Sequence, residues 1–254
     1  MHITDTELQH FEVNGFFFVP NPFGEEGMRK LDRITQDTAA EWEATDWPRG
    51  FNRMACKFLM LGEPILEFVE RPQFLEAGRK LLGCDEIHVG ACGSGDATTM
   101  IGDGRPVRQI EWHADGGPDV HQVAFRTAFD RHDASNAPLR VLPGSQKRQK
   151  DEVQCELMQL ELATGRHDVK PELCFAEHPS ETEVVLDPRF TLVWTPSCWH
   201  ATGIKTAAGP RRAFGWNYFP KGGRKRDTEA VKHIFNGEWQ EWTKERKQLW
   251  GIEG

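Results

Sequence analysis

Glu111-Trp112-His113-Ala114-Asp115-Gly116-Gly117 is the stretch on which the reading of this chain turns. Residues two apart on a β-strand point to the same face. His113 and Asp115 can therefore aim at one point if they end an inward-facing strand, and Gly116-Gly117-Pro118 would end it there and leave room beside it. A second histidine, His200, stands far downstream, and Arg211 follows it by eleven residues. Two histidines and a carboxylate on one face form the donor set that suits iron(II), with the remaining positions open for ligands. His200 reaches the other two only if the sheet rolls over itself, so the motif that suggests chemistry also suggests a rolled β fold.

The rest of the chain agrees with a β-rich core. Ile87, Val89 and Ala91 alternate, and so do Val123, Phe125, Thr127 and Phe129. Further strands are predicted at 139–142, 184–186, 190–194 and 213–219. Turn residues punctuate them at Gly93-Ser94-Gly95-Asp96, Gly102-Asp103-Gly104, Pro143-Gly144-Ser145 and Gly209-Pro210. The first third reads as helical. Thr4-Asp5-Thr6-Glu7 has the form of a capping box, with Leu8 and Phe11 continuing one helical face. Gly15 breaks that helix before a short strand, Phe16 to Pro20. One helix is predicted through Met28, Leu31, Ile34 and Trp42, and two more separated at Pro72. Residues 151–164 read as a helix inserted between strands, and a charged C-terminal helix as running over about 227–250. The layout expected is one domain over 1–254: a helical cover over about 1–85, a core over about 86–220, and that last helix.

Composition narrows the function classes. The 254 residues are 38% hydrophobic and 28% charged, enough apolar material for a core. The net charge of -8 argues against nucleic acid or an anionic membrane as the partner. No apolar run approaches the ~20 residues that span a bilayer, and the N-terminus lacks the pattern of a signal peptide. The cysteines at 56, 84, 92, 155, 174 and 198 form no C-x-x-C pair. Scattered thiols of this kind suit a reducing, cytoplasmic compartment. A small-molecule substrate is the partner expected.

Arg211 has a specific use beside such a metal. An oxo-diacid chelates iron through its keto oxygen and one carboxylate, and its far carboxylate needs a cation deep in the fold. A guanidinium meets it with two parallel charge-assisted hydrogen bonds. Thr206 to Pro210 reads as a hairpin turn, with His200 ending one strand and Arg211 opening the next alongside it. Thr202 shares the face of His200 and offers a hydroxyl. Arg212 competes with Arg211, but alternation points the two to opposite faces. Each residue also has an ordinary use: His113 as a half-buried histidine bonded to its neighbours, His200 as a strand-end histidine satisfied by backbone. His121 and His132 read as structural or surface residues.

Four segments together resemble the phytanoyl-CoA dioxygenase family of iron(II)- and 2-oxoglutarate-dependent oxygenases. They are residues 3–20, Trp112-His113-Ala114-Asp115, Asn136 to Ser145, and His200 with Arg211 in Gly209-Pro210-Arg211-Arg212-Ala213. The resemblance implies a double-stranded β-helix, or jelly roll, mainly β with helices packed outside. It implies that His113, Asp115 and His200 bind Fe(II), that Arg211 rather than Arg212, with Thr202, holds 2-oxoglutarate, and that O2 is consumed with release of succinate and CO2. Gln146 stands where the family often has histidine, at a position that is not a ligand. Halogenases of such families lack the carboxylate ligand; Asp115 is present, so hydroxylation, or a desaturation or cyclisation begun the same way, is expected.

Arg126 is left over. Val123, Phe125, Thr127 and Phe129 form one face of its strand, and Ala124, Arg126 and Ala128 the other. Either face could line the pocket; if the second does, Arg126 would bind an anionic group of the substrate, and otherwise it is a surface arginine. The segments 47–61 and 150–179 are expected to cover the pocket mouth. Two other readings remain: a non-catalytic jelly roll that binds a ligand, and a zinc hydrolase, which would have no use for Arg211.

Overall fold

In a computed structural model of the chain, which describes residues 1–96, 111–165, 173, 175–225 and 227–252, Thr4 caps the first helix. Its hydroxyl accepts from the Glu7 N–H while the Glu7 carboxylate accepts from the Thr4 N–H, so α1 (Asp5–Asn14) starts on a complete capping box. Gly15 ends it in the left-handed region at φ 86°. A Cβ there would sit 2.2 Å from the Cys198 sulfur, so glycine is required for space as well as conformation.

The helix predicted through Met28 and Trp42 is two, α2 (Gly24–Asp37) and α3 (Ala39–Ala44). The join is Thr38, whose hydroxyl donates to the Ile34 carbonyl at 2.8 Å, a side-chain bond that competes with the helical ladder. A further helix, α4 (Arg53–Leu59), is capped by the Asn52 side chain. Then follow α5 (Glu63–Val69) and α6 (Pro72–Leu82), the latter opening on its proline, where the missing N–H costs nothing. The inserted helix is α7 (Lys150–Ala163). The C-terminal helix expected over 227–250 is broken into α8 (Thr228–Ile234), a 3-10 turn at Glu238–Glu241, and α9 (Lys244–Leu249). Asn236 and Gly237, at φ 29° and 94°, turn the chain out of the helical region there.

The strands are β1 (Phe16–Pro20), β2 (Ile87–Asp96), β3 (Val123–Ala128), β4 (Leu139–Val141), β5 (Thr182–Val184), β6 (Phe190–Trp194), β7 (His200–Thr202) and β8 (Arg212–Pro220). They form two antiparallel sheets among the described residues, ordered β1-β6-β3-β8-β2 and β5-β4-β7. β1 lies in the stretch read as a helical cover, yet it is an edge of the larger sheet, paired with β6. β2 continues through Gly93-Ser94-Gly95-Asp96, which sequence alone reads as a turn, and pairs there with β8. The other predicted turn, Gly102-Asp103-Gly104, lies outside the described residues.

Side-chain alternation gives the larger sheet two distinct faces. Val123, Phe125, Phe214, Trp216 and Tyr218 pack outward into the helical layer with Ile65, Leu66 and Phe74. Phe74 meets Phe125 and Trp216 edge-on, with ring centroids 5.3 and 5.1 Å away, and each buried phenylalanine contributes about 1.5–3 kcal/mol. Ala124, Ala128, Leu192, Trp194 and Ala213 face the other way, toward Leu139, Val141 and Val184 of the smaller sheet. Two sheets packed face to face with helices outside one of them are the jelly-roll arrangement.

Candidate active site

His113 and His200 are joined directly by their backbones. The His113 N–H donates to the His200 carbonyl at 3.0 Å, and the His200 N–H returns to the His113 carbonyl at 2.8 Å. Residues opposed in this way on antiparallel strands share a face, and the two imidazole centroids lie 4.2 Å apart. The Asp115 N–H donates to the Pro196 carbonyl at 2.9 Å, which holds the carboxylate one pleat further along the same face.

Each ring is oriented from behind. His113 Nδ1 donates to the Glu111 carbonyl at 2.7 Å and His200 Nδ1 to the Cys198 carbonyl at 2.8 Å. A carbonyl only accepts, so a proton sits on each Nδ1, and in the neutral ring Nε2 is the nitrogen left with a lone pair. The Trp194 ring packs against His200 nearly at a right angle, with centroids 4.8 Å apart. Burial pushes the His200 pKa down, the neighbouring His113 adds to this, and Asp115 opposes it. A neutral imidazole is the form that binds a metal.

One donor atom from each of His113, Asp115 and His200 lies within 4.8 Å of the others. Donors ~2.1 Å from a shared ion lie up to about 4.2 Å apart, so the spacing is close to that of a metal-binding set. His200 is buried, while His113 and Asp115 each keep more than a third of their side-chain surface open. The three side chains are thus open to solvent at His113 and Asp115 and closed at His200.

Arg211 and Arg212 fall on opposite faces. Arg212 makes a two-pronged ion pair with Asp130 and a further one with Asp32 on the outer face. Arg211 is buried and donates from Nε to the Ala137 carbonyl at 2.8 Å. No ion pair to a described residue reaches its guanidinium, and burial together with the nearby Arg126 pushes its pKa down to about 10. Among the described residues Ala137 is one of three non-glycine residues at positive φ, at 50°, and its carbonyl accepts the bond from Arg211. Thr202 lies on the same strand face as His200, opposite Leu139. The hairpin expected between His200 and Arg211 is absent: His200 opens β7 in the smaller sheet, and Arg211 directly precedes β8 in the larger one. The connection is instead held to Ser135, which accepts backbone bonds from Thr206 and Ala207.

Arg126 is on the inner face. It is flanked by Ala124 and Ala128 of the inter-sheet cluster and paired across β3 with Leu192 and Gly215. Its Nε is sealed from solvent without a hydrogen-bond partner. His132 is fully buried with both ring nitrogens unpaired. Burial, Arg211 and Arg126 push its pKa down to about 3, so it is a neutral interior residue and not a surface one. Two polar residues that the sequence reading passed over also face inward. Asn217 continues the row Arg211, Ala213, Gly215, and donates to the Gln122 side chain at 3.0 Å; Gln122 donates to Ser197 at 3.2 Å. Alternation along β3 and β8 was the signal for both.

A profile of the phytanoyl-CoA dioxygenase (PhyH) family matches residues 11–213. Among curated proteins none matches in sequence. Solved structures share the fold at low identity. HygX from Streptomyces hygroscopicus, with nickel and 2-oxoglutarate bound, is 13% identical with a TM-score of 0.67, over 88% of this chain and 90% of that one. EctD from S. alaskensis, with 2-oxoglutarate and 5-hydroxyectoine, is 15% identical with a TM-score of 0.63, over 88% and 78%. The non-haem α-ketoglutarate-dependent epimerase SnoN from nogalamycin biosynthesis is 11% identical with a TM-score of 0.61, over 85% and 82%.

Proposed function

The chain belongs to the phytanoyl-CoA dioxygenase family of Fe(II)/2-oxoglutarate-dependent oxygenases, and on that premise we propose that it hydroxylates a small-molecule substrate, using O2 and 2-oxoglutarate and releasing succinate and CO2. The observation that carries the reading is the pairing of a bare-lone-pair triad, His113, Asp115 and His200, with a buried guanidinium, Arg211, that no acidic side chain of a described residue neutralises. The donor chemistry fits iron(II): two neutral imidazoles and one carboxylate on one side, with the other side open. Bound iron(II) and 2-oxoglutarate together supply the activation of O2 and the oxidising power for C–H chemistry.

The chain's own residues bind and orient. His113 and His200 are held in the metal-binding tautomer by the Glu111 and Cys198 carbonyls. Arg211 is pinned through Nε, which leaves its terminal nitrogens for the far carboxylate of the cosubstrate, with the Thr202 hydroxyl as a second donor. Asp115 fills the position that a halide would need, which favours hydroxylation over halogenation. Epimerisation, the activity named for SnoN, starts from the same set of residues and is the second outcome to look for.

The whole of 1–254 is taken as one oxygenase domain. Cys56, Cys84, Cys92, Cys155 and Cys198 are free thiols, in keeping with a cytoplasmic enzyme; Cys174 lies outside the described residues. No helix among the described residues is long and apolar enough to cross a membrane. The function is tested by screening small molecules for stimulated succinate release with iron(II), 2-oxoglutarate and O2. Stimulation with an oxygenated product is expected; an epimerised product of unchanged mass would replace hydroxylation by the second outcome.

A further inference from the structure

Arg126 is an inward-facing charge for which the proposed reaction has no use. It projects from the middle of β3 into the space between the sheets, where its strand neighbours Ala124 and Ala128 and its cross-strand neighbours Leu192 and Gly215 carry no charge. No ion pair to a described residue reaches it, and its Nε is buried without a partner. A guanidinium whose Nε is sealed from water and left unpaired is costly to keep in a folded protein, which suits a site that receives an anion.

That anion is not accounted for by the cosubstrate. In a site loaded with iron(II) and 2-oxoglutarate, the two positive charges of the metal are met by Asp115 and by one cosubstrate carboxylate. The second carboxylate is met by Arg211. Lys205 is tied to the Asn136 side chain, and His132 is neutral. The charge of Arg126 is then left over: Asp115 is the acid whose charge acts on it, and Arg211 and His132 feel it in turn.

The side chains beside it are small: Ala124, Ala128 and Ala213 belong to the inter-sheet cluster, and at Gly215 the two strands approach so closely that a Cβ would press to 2.5 Å from the Phe125 carbonyl. Arg126 is only partly buried, so part of its side chain stays accessible. The polar chain of Asn217, Gln122 and Ser197 runs along the same interior.

We propose that Arg126 is the anchor for an anionic oxyacid group of the substrate, a carboxylate or a phosphate-type group, so that the enzyme oxidises a small organic acid. The inference rests on the proposed function, and its test is arranged to separate the two. Full-length protein is loaded anaerobically with iron(II) and saturating 2-oxoglutarate, and thermal stability is followed against acetate and against methyl phosphate at constant ionic strength. One or both should stabilise the wild type and bind at least tenfold more weakly to Arg126→Met; whichever acts identifies the group. Arg126→Met should leave 2-oxoglutarate affinity within about threefold and raise the Tm of the metal-free protein. The anion arm is repeated on metal-free Arg211→Met protein, where a response lost in the Arg126→Met/Arg211→Met double variant is expected whether or not 2-oxoglutarate binds. Failure of 2-oxoglutarate to bind wild type would overturn the proposed function alone. Equal anion responses in wild type and Arg126→Met, or a hundredfold loss of 2-oxoglutarate affinity in Arg126→Met, would overturn the inference and leave Arg126 without a substrate role.

Discussion

Arg211 and Arg212 are consecutive, yet one is buried between the sheets on the Ala137 carbonyl and the other is locked outside by Asp130 and Asp32. The alternation along this stretch separates a cation that no described acid meets from one locked in ion pairs. Replacing Arg211 by alanine should weaken 2-oxoglutarate binding by orders of magnitude, since losing one partner of a buried charge pair costs about 2–5 kcal/mol. Arg212→Ala should change that affinity little and instead lower stability by roughly 1–3 kcal/mol, the cost of leaving partly buried carboxylates unpaired. Calorimetry with 2-oxoglutarate and denaturant unfolding of both variants check this; the reverse ranking would put the strand phase wrong by one residue.

Acid should unfold the protein partly through His132. Its folded pKa is held at about 3 by burial, Arg211 and Arg126, against ~6.5 when unfolded. Between these values the unfolded chain binds more protons, so stability is complete above the unfolded value and is lost as pH falls toward the folded one. His88, also lowered by burial, acts in the same direction. The stability of His132→Gln should therefore fall less steeply from pH 6.5 to 4 than that of wild type. Parallel profiles would show that His132 is not buried neutral.

Ala137 holds Arg211 from a strained backbone, φ 50°. A non-glycine residue in that region costs about 1–2 kcal/mol, part of which glycine would recover. Ala137→Gly should be as stable as wild type or slightly more so and keep its 2-oxoglutarate affinity. Ala137→Val should lose both, because a β-branched residue resists positive φ and would move the carbonyl. Denaturant midpoints and cosubstrate affinities, measured side by side, decide it.

Much of this site was legible because it is written in local patterns. The capping box at Thr4, the two-residue spacing of His113 and Asp115, and the opposed phases of Arg211 and Arg212 each follow from the geometry of one element. Residues 123–129 showed two faces, but only the packing of Phe125 against Phe74 and Trp216 shows which one the helices cover, and hence that Arg126 looks inward. What depends on contacts between distant segments was not legible. His200 and Arg211 look like the two sides of a hairpin until β7 pairs with β4 in one sheet and β8 with β3 in the other. His132 lies outside the regular strands, where a backbone bridge to Leu186 ties it to a distant segment. Gly93 and Gly95 resemble a turn in sequence, but pairing with Gly215 and Ala213 keeps them in a strand.

The central claim is that His113, Asp115 and His200 hold the iron(II) on which turnover depends. The most direct measurement is succinate formation from 2-oxoglutarate and O2 by metal-depleted protein titrated with iron(II), alongside His113→Ala, Asp115→Ala and His200→Ala. Activity should rise to a plateau at one iron per chain, vanish with chelator, and be absent from all three variants while their folds persist by circular dichroism. Undiminished succinate formation with chelator present, or wild-type rates from His200→Ala, would contradict the account.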